Sequence, residues 1–324
     1  MLEQKDEELH KHLLSGWRFK ALLITVLLSI LGYFLFTLWG GWENVVDAVS
    51  RVGIKGILLA LSLSLVNYGL RFTRWQFFLK TLGHRIPWAK SLRIYMSGFA
   101  LTTTPGKTGE ALRGVFLKDY GVPFRKSFGA FLSERLSDLM SVSILACGGL
   151  WIYPQVRPVL FVVLAMFVLI LLTIQKDNWL RSLEGVAKRN LPERFAKSVE
   201  FILEMILAFR SCFKLRVLLV ALTCGVCAWV AEAIALYALV HFVGYEIDLV
   251  AAIFIYGFSL VIGGITLLPG GLGGAEVTML QLLMWQGIVP SAAVALTLVV
   301  RLTTLWFSVI LGLIVLPKKQ ILWR

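Results

Sequence analysis

The sequence predicts an all-α polytopic membrane protein with about six full transmembrane helices and two re-entrant helical hairpins, arranged as an inverted repeat. Three observations carry that reading. Hydrophobic residues make up 58% of the 324 and charged residues 16%, with a mean hydropathy of +0.80. Apolar runs near the roughly 20 residues that a spanning helix needs recur along the chain. Two stretches that hold Pro-Gly, further Gly and a Glu, "LTTTPGKTGEALRG" and "TLLPGGLGGAEVTM", echo each other.

The elements follow in order. Residues 1–18 are polar and are expected to form a cytoplasmic N-terminal segment. This opening is longer than the n-region of a signal peptide, and no small-residue cleavage pattern follows, so Phe19–Gly40 reads as a retained anchor. Full crossings are then expected at Gly56–Leu79, Phe124–Trp151, Val159–Gln175, Leu215–Val243 and Ser291–Leu316. Lys90–Tyr120 and Asp248–Gln286 each enter and leave on one side, although Val250–Leu268 is long enough to be read as spanning. Residues 19–324 thus form a single transmembrane domain, with repeat 1 at about 56–151, an amphipathic cytoplasmic connector at 176–214 and repeat 2 at about 215–316. With this topology both termini are cytoplasmic and 27 of the 32 Lys and Arg residues lie on the cytoplasmic side. Such an asymmetry is what the positive-inside rule demands. It accounts for the net charge of +13 without nucleic acid as a partner.

Spacing supports the duplication. Glu110 precedes Gly121 by 11 residues and Arg135 by 25; Glu276 precedes Gly287 and Arg301 by the same two intervals. Both arginines stand in Arg-Leu-x-x-Leu, and "YMSGFALT" upstream resembles "IYGFSLVI". The charge map gives the helices that lead into the two copies opposite senses, hence an inverted repeat, a recurrent design of secondary transporters. Arms of a dozen residues rise only about 18 Å, too short for a core of about 30 Å, so hairpins that line a cavity fit better than spans.

The charged residues at membrane depth are the candidate site. Glu110 and Glu276 begin the second arms, where a helix N-terminus favours a carboxylate. Arg135 and Arg301 follow at equal distance, and the four are expected to bound a central site. Glu134 and Asp138 share a face with one turn between them, and Asp138 can pair locally with Arg135. Lys107 and Arg113 flank the first bend, and Arg71 and Arg74 end the preceding helix. Such a basic group suits a phosphate. Glu232, in "AWVAEAIALY", is a candidate proton site. Cys224-x-x-Cys227 reads as packing residues one turn apart, and His10, His12, His84 and His241 have no metal spacing. "GKTGE" lacks the spacing of a nucleotide-binding loop. No enzyme, cofactor or metal is therefore expected.

"LRFTRWQFFL", "TTTPGKTGEALRGVFLKDYGVPF", "SERLSDL" and "LLPGGLGGAE" together resemble the transmembrane region of lysylphosphatidylglycerol synthases, over roughly Gly56 to Leu316. The resemblance implies a lipid flippase module, which in bifunctional members moves aminoacylated phosphatidylglycerol across the bilayer. A soluble synthase domain is expected to be absent, because the chain ends at Arg324 directly after its last apolar segment. The resulting expectation is a protein of the bacterial inner membrane that flips a phosphate-bearing lipid, such as an aminoacylated or otherwise modified phospholipid. Alternatives are a polyprenyl-phosphate-linked sugar as cargo, or ion-coupled transport of a small soluble solute. Expected partners are the lipid and a separately encoded lipid-modifying enzyme; a homo-oligomer is compatible with the sequence.

Overall fold

The structure is a computed structural model that describes residues 41–102, 110–111, 113–150, 153–175, 193–266, 271 and 273–315, with isolated positions from 31 to 38. Among these residues the chain is helical and contains no strand. The helices are α1 (Trp42–Thr81), α2 (Trp88–Phe99), α3 (Arg113–Lys118), α4 (Phe124–Ala146), α5 (Arg157–Gln175), α6 (Glu193–Cys212), α7 (Leu215–Phe242), α8 (Leu249–Ile265), α9 (Gly274–Trp285) and α10 (Pro290–Val315). Four of these, α1, α7, α10 and the stretch Pro154–Thr173 that includes most of α5, are long and apolar enough to cross a membrane. The expected anchor Phe19–Gly40 and the first half of the connector lie almost wholly outside the described residues. So do both Pro-Gly bends and Lys107.

Two elements differ from the sequence expectation. The first crossing does not begin at Gly56: helix starts at Trp42 and continues through a break at Gly53, whose φ of 60° and ψ of 177° are not helical. Apolar Val45, Ala48 and Val52 give the segment before the break a buried face. The second half of the connector is a helix, α6, that packs on α4. A methyl group on Gly129 would lie 2.9 Å from the Met205 carbonyl oxygen, which measures how closely the two backbones approach. Small residues permit this contact, since helices in a bilayer associate through packing and not through escape from water.

Both halves run through the same order of elements. Helices α1, α3, α7 and α9 each end in a Schellman turn with a left-handed glycine: Gly83 (φ 88°), Gly121 (73°), Gly244 (92°) and Gly287 (81°). At Gly121 the amide of Val122 returns to the Leu117 carbonyl, and at Gly287 the amide of Ile288 returns to Leu283. A Cβ would make the required φ costly, which is why the two glycines recur at equal distance from Glu110 and Glu276. Packing is reciprocal as well. Helix α1 lies against α7, α1 against α10 as α7 lies against α4, and α2 against α10 as α8 lies against α4. The contact between α2 and α10 is backbone to backbone, for a Cβ at Gly312 would sit 2.2 Å from the Ala100 nitrogen.

Helix α8 has 17 residues, a rise of about 26 Å, and folds back against the 12-residue α9. In the first half, the described part of the second arm is Glu110, Ala111 and the six-residue α3.

Candidate functional site

Helix α1 turns one polar stripe inward: Ser64, Asn67, Arg71 and Arg74 are all buried. Opposite it, α4 presents Glu134, Arg135 and Asp138. The local pair of Arg135 with Asp138 forms at 3.1 Å, but it is not the main partnership. Arg74 Nη2 donates to Asp138 Oδ1 at 2.6 Å, and Arg71 Nη2 to Oδ2 at 3.3 Å. The Trp229 indole N–H from α7 reaches Oδ1 at 3.3 Å. Asp138 is thus a clamp for arginines from another helix, which spacing along α4 alone does not reveal.

Arg113 supplies the second junction. Its Nη2 donates to Glu110 Oε2 at 2.6 Å, its Nη1 to Glu134 Oε2 at 3.0 Å and its Nε to the Glu110 carbonyl at 3.1 Å. The guanidinium lies between aromatic faces, 4.9 Å from the Trp75 ring centre and 4.7 Å from that of Tyr95. Gly98 makes the room: a Cβ there would lie 2.8 Å from Arg113 Cγ and Nε. Tyr95 donates to Glu134 at 2.9 Å and Thr102 to Glu110 at 2.9 Å. Arg135 Nη2 stands 3.6 Å from Glu110 and 3.4 Å from Glu134. With this many charge-assisted contacts the buried cluster is held in one arrangement; removing one member leaves the others uncompensated.

The second half repeats part of this pattern. Arg301 Nε is 2.7 Å from Glu276 Oε1, and Glu276 Oε2 accepts the Gly273 amide at 2.7 Å. Glu276 is therefore both a helix cap and an ion-pair partner, the two roles that its position suggested. Directly after Arg301, α10 passes through a π turn at Leu302–Trp306, and the Thr304 carbonyl accepts the Tyr68 hydroxyl. Tyr256 on α8 donates to Glu232 on α7.

A cavity of about 600 Å³ joins the two halves. Arg71, Arg135, Arg301, Glu110, Asp138 and Glu232 line it, whereas Arg74, Arg113, Glu134 and Glu276 lie behind its wall as partners of lining residues. Among the described residues, Nε of Arg71 and Nε of Arg135 are buried without a hydrogen-bond acceptor. The lining is sorted by polarity. Tyr68, Arg71, Glu110, Asp138, Glu232, Tyr256 and Arg301 are all buried, and Arg135 is only 17% exposed. The apolar Leu132, Leu136 and Leu139 of α4, Ile170 of α5, Phe209 of α6 and Leu260 of α8 line it while partly exposed. Of the charged lining residues only Arg135 is partly exposed, whereas the apolar lining is part buried, as at Phe99, Val142 and Leu305, and part exposed.

Sequence reasoning overlooked the phenols and the indole. Tyr95 and Tyr256 each donate to a buried carboxylate, but the shared Gly-Phe of "YMSGFALT" and "IYGFSLVI" sets Tyr256 opposite Ser97, so that resemblance did not pair them. Phe209 was not anticipated, because the connector was read as surface. Cys224 is half-buried and Cys227 exposed, with no disulfide; Gly225 between them packs on Ser141 and Arg74.

A multi-helix membrane protein with a charged internal cavity is the class that this fold and site define. The chain belongs to the family of lysylphosphatidylglycerol synthase TM regions, whose sequence profile matches residues 20–312. It is similar to UPF0104 membrane proteins of archaea. One from Pyrococcus horikoshii is 24% identical, over 94% of this chain and 98% of the relative. One from Methanothermobacter thermautotrophicus is 25% identical, over 89% and 90%. Another from Methanocaldococcus jannaschii is 22% identical, over 92% and 96%. The names of these relatives state a membrane protein and no activity.

Proposed function

We propose that the protein moves a phosphate-bearing lipid between the leaflets of a cytoplasmic membrane, as a transporter and not as an enzyme. The observation that carries this reading is the sorting of the cavity. Arginines with unfilled donors line it, and apart from Arg135 and two glycines the partly exposed lining among the described residues is apolar side chain. A carrier of a soluble solute needs a wet mouth. An apolar rim instead suits a substrate whose headgroup enters while its tails stay in the bilayer. Guanidinium groups at the floor favour a phosphate, which accepts their N–H donors in pairs. The reciprocal packing of the halves supports two copies of inverted sense that exchange roles in opening to either side. Family membership supports a modified phospholipid as cargo, and the same chemistry would accept a polyprenyl phosphate carrying a sugar.

The test is lipid translocation in proteoliposomes, with a fluorescent phosphatidylglycerol and a membrane-impermeant quencher. Wild-type protein should expose inner-leaflet label within minutes, and Arg135→Ala or Arg301→Ala should slow this at least tenfold. Wild-type rates in both variants would defeat the reading. So would uptake of a soluble phosphate ester with no lipid movement.

A further inference from the structure

The two sides of the cavity can be compared position by position, because α1 and α7 end in the same turn. Tyr68 and Arg71 stand 15 and 12 residues before Gly83; Trp229 and Glu232 stand 15 and 12 before Gly244. Contacts follow this register. The Trp229 indole donates to Asp138, three residues after Arg135, and the Tyr68 hydroxyl donates to the carbonyl of Thr304, three residues after Arg301. At two positions the chemistry is exchanged: Glu232 stands where α1 has Arg71, and Thr304 where α4 has Asp138. All four line the cavity, so the side built by α1 and α4 differs in kind from the side built by α7 and α10. We infer that one lipid headgroup lies across both. Its phosphate meets Arg71 and Arg135, and a hydrogen-bond donor beyond the phosphate, a hydroxyl or an ammonium, meets Glu232. The inference rests on the reading of the cavity as a phosphate-lipid site, and it makes Glu232 the residue that selects the headgroup.

Donors converge on the first side. Arg71 and Arg135 place their Nη2 atoms 3.3 and 3.1 Å from one oxygen, Asp138 Oδ2, so the two guanidiniums are neighbours. Both side chains line the cavity, and the Nε of each is buried with no acceptor among the described residues. Phosphate oxygens supply that acceptor. The carboxylates on this side are turned to the protein: Asp138 Oδ1 takes Arg74 and Trp229, and Glu110 takes Arg113 and Thr102. On the second side the hydroxyls give their protons to the protein. Tyr68 donates to the Thr304 carbonyl, Thr304 Oγ1 to the Val300 carbonyl at 2.7 Å, and Tyr256 to Glu232. These oxygens keep the capacity to accept. Glu232 adds a carboxylate, which accepts about four bonds and donates none. Arg301 lines this side as well, with its Nε held 2.7 Å from Glu276. The two sides are within the reach of one headgroup. The Arg71 guanidinium carbon lies 5.1 Å from the Trp229 ring centre, and Glu232 follows Trp229 by about 4.5 Å along α7. A phosphate substituent without a donor would take water from Glu232 and return no hydrogen bond, which is what selects against it.

The experiment is calorimetric titration of the purified full chain in detergent with three dioctanoyl lipids. Phosphatidylglycerol brings hydroxyls, phosphatidylethanolamine an ammonium, and phosphatidylmethanol, of the same charge as phosphatidylglycerol, no donor. Wild-type protein should bind a donor-bearing lipid at least tenfold more tightly than phosphatidylmethanol; preference for phosphatidylglycerol assigns a hydroxyl to the Glu232 side, and preference for phosphatidylethanolamine an ammonium. Glu232→Gln should cut that preference to threefold or less, chiefly by weakening the donor-bearing lipid, whereas Arg71→Ala should weaken all three by a like factor. Equal wild-type affinity for the three overturns the donor requirement and leaves the phosphate reading intact. A preference that survives Glu232→Gln, or equal weakening of all three lipids in that variant, overturns the part of this residue. If wild-type protein binds none of them, the transport reading falls as well. The wild-type series decides the donor requirement even where a variant does not fold.

Discussion

Replacement of Asp138 by Asn tests the charge cluster most directly. The carboxylate takes Arg74 at 2.6 Å, Arg135 at 3.1 Å and Arg71 at 3.3 Å. Asn keeps the shape but removes the charge, and its amide turns N–H donors toward guanidiniums that also only donate. Breaking a buried ion pair typically costs about 3–5 kcal/mol. The low end applies here, because Arg135 retains Glu110 and Glu134, and Arg74 retains Glu134 at 3.8 Å. Arg71 loses its partner among the described residues. An unfolding entropy of about 2.1 cal/mol/K per residue over the 324-residue chain gives roughly 0.7 kcal/mol/K, so about 3 kcal/mol lowers Tm by about 4 °C. Heat unfolding followed by tryptophan fluorescence in detergent reads this shift. The variant also carries one excess positive charge, which an anionic lipid can neutralise unaided. Dioctanoyl phosphatidylglycerol should therefore raise the Tm of Asp138→Asn more than that of wild type. A variant as stable as wild type to within 1 °C, with the same response to lipid, would refute the argument that Asp138 holds the arginines by charge.

Gly98→Ala should displace Arg113, since the new methyl would lie 2.8 Å from its Cγ and Nε; an overpacking cost of about 1–3 kcal/mol is expected in heat unfolding, with slower lipid translocation. Leu136→Trp narrows the apolar rim without touching the arginines. It should slow lipid translocation at least tenfold while glycerophosphoglycerol, the headgroup without tails, binds as in wild type; equal loss of both would show damage beyond the rim.

How much of this was legible in the sequence differs by residue. Glu110 with Arg135 and Glu276 with Arg301 could be found because the two stretches share their intervals, and the same intervals located Gly121 and Gly287, whose left-handed turns need glycine. Asp138 could be found with its local partner Arg135, but not with its partners on α1. The meeting of α1 with α4 depends on packing between residues 64 and 67 positions apart, and no local period encodes it. Tyr95 and Tyr256 were hidden by their type, since an aromatic residue in an apolar helix is read as packing until its hydroxyl is seen to face a carboxylate. The helix at Trp42–Val52 was missed because it falls between two longer apolar runs; its buried apolar face packs it on the bundle. Gly129 likewise gave no hint that α6 would settle on α4.

The charges of α4 also bear on how the chain enters the bilayer. This helix is 23 residues long yet is not among the four segments apolar enough to span by composition. Arg135 and Asp138 near its centre together would cost a lone helix roughly 5–7 kcal/mol on an insertion scale. Beyond their own local pair, those charges meet Arg71, Arg74 and Glu110, which emerge earlier in synthesis. Insertion of α4 is therefore an act of assembly: the first half must already stand in or beside the membrane to receive it, and damage at Arg71 or Arg74 would appear first as a failure of topology.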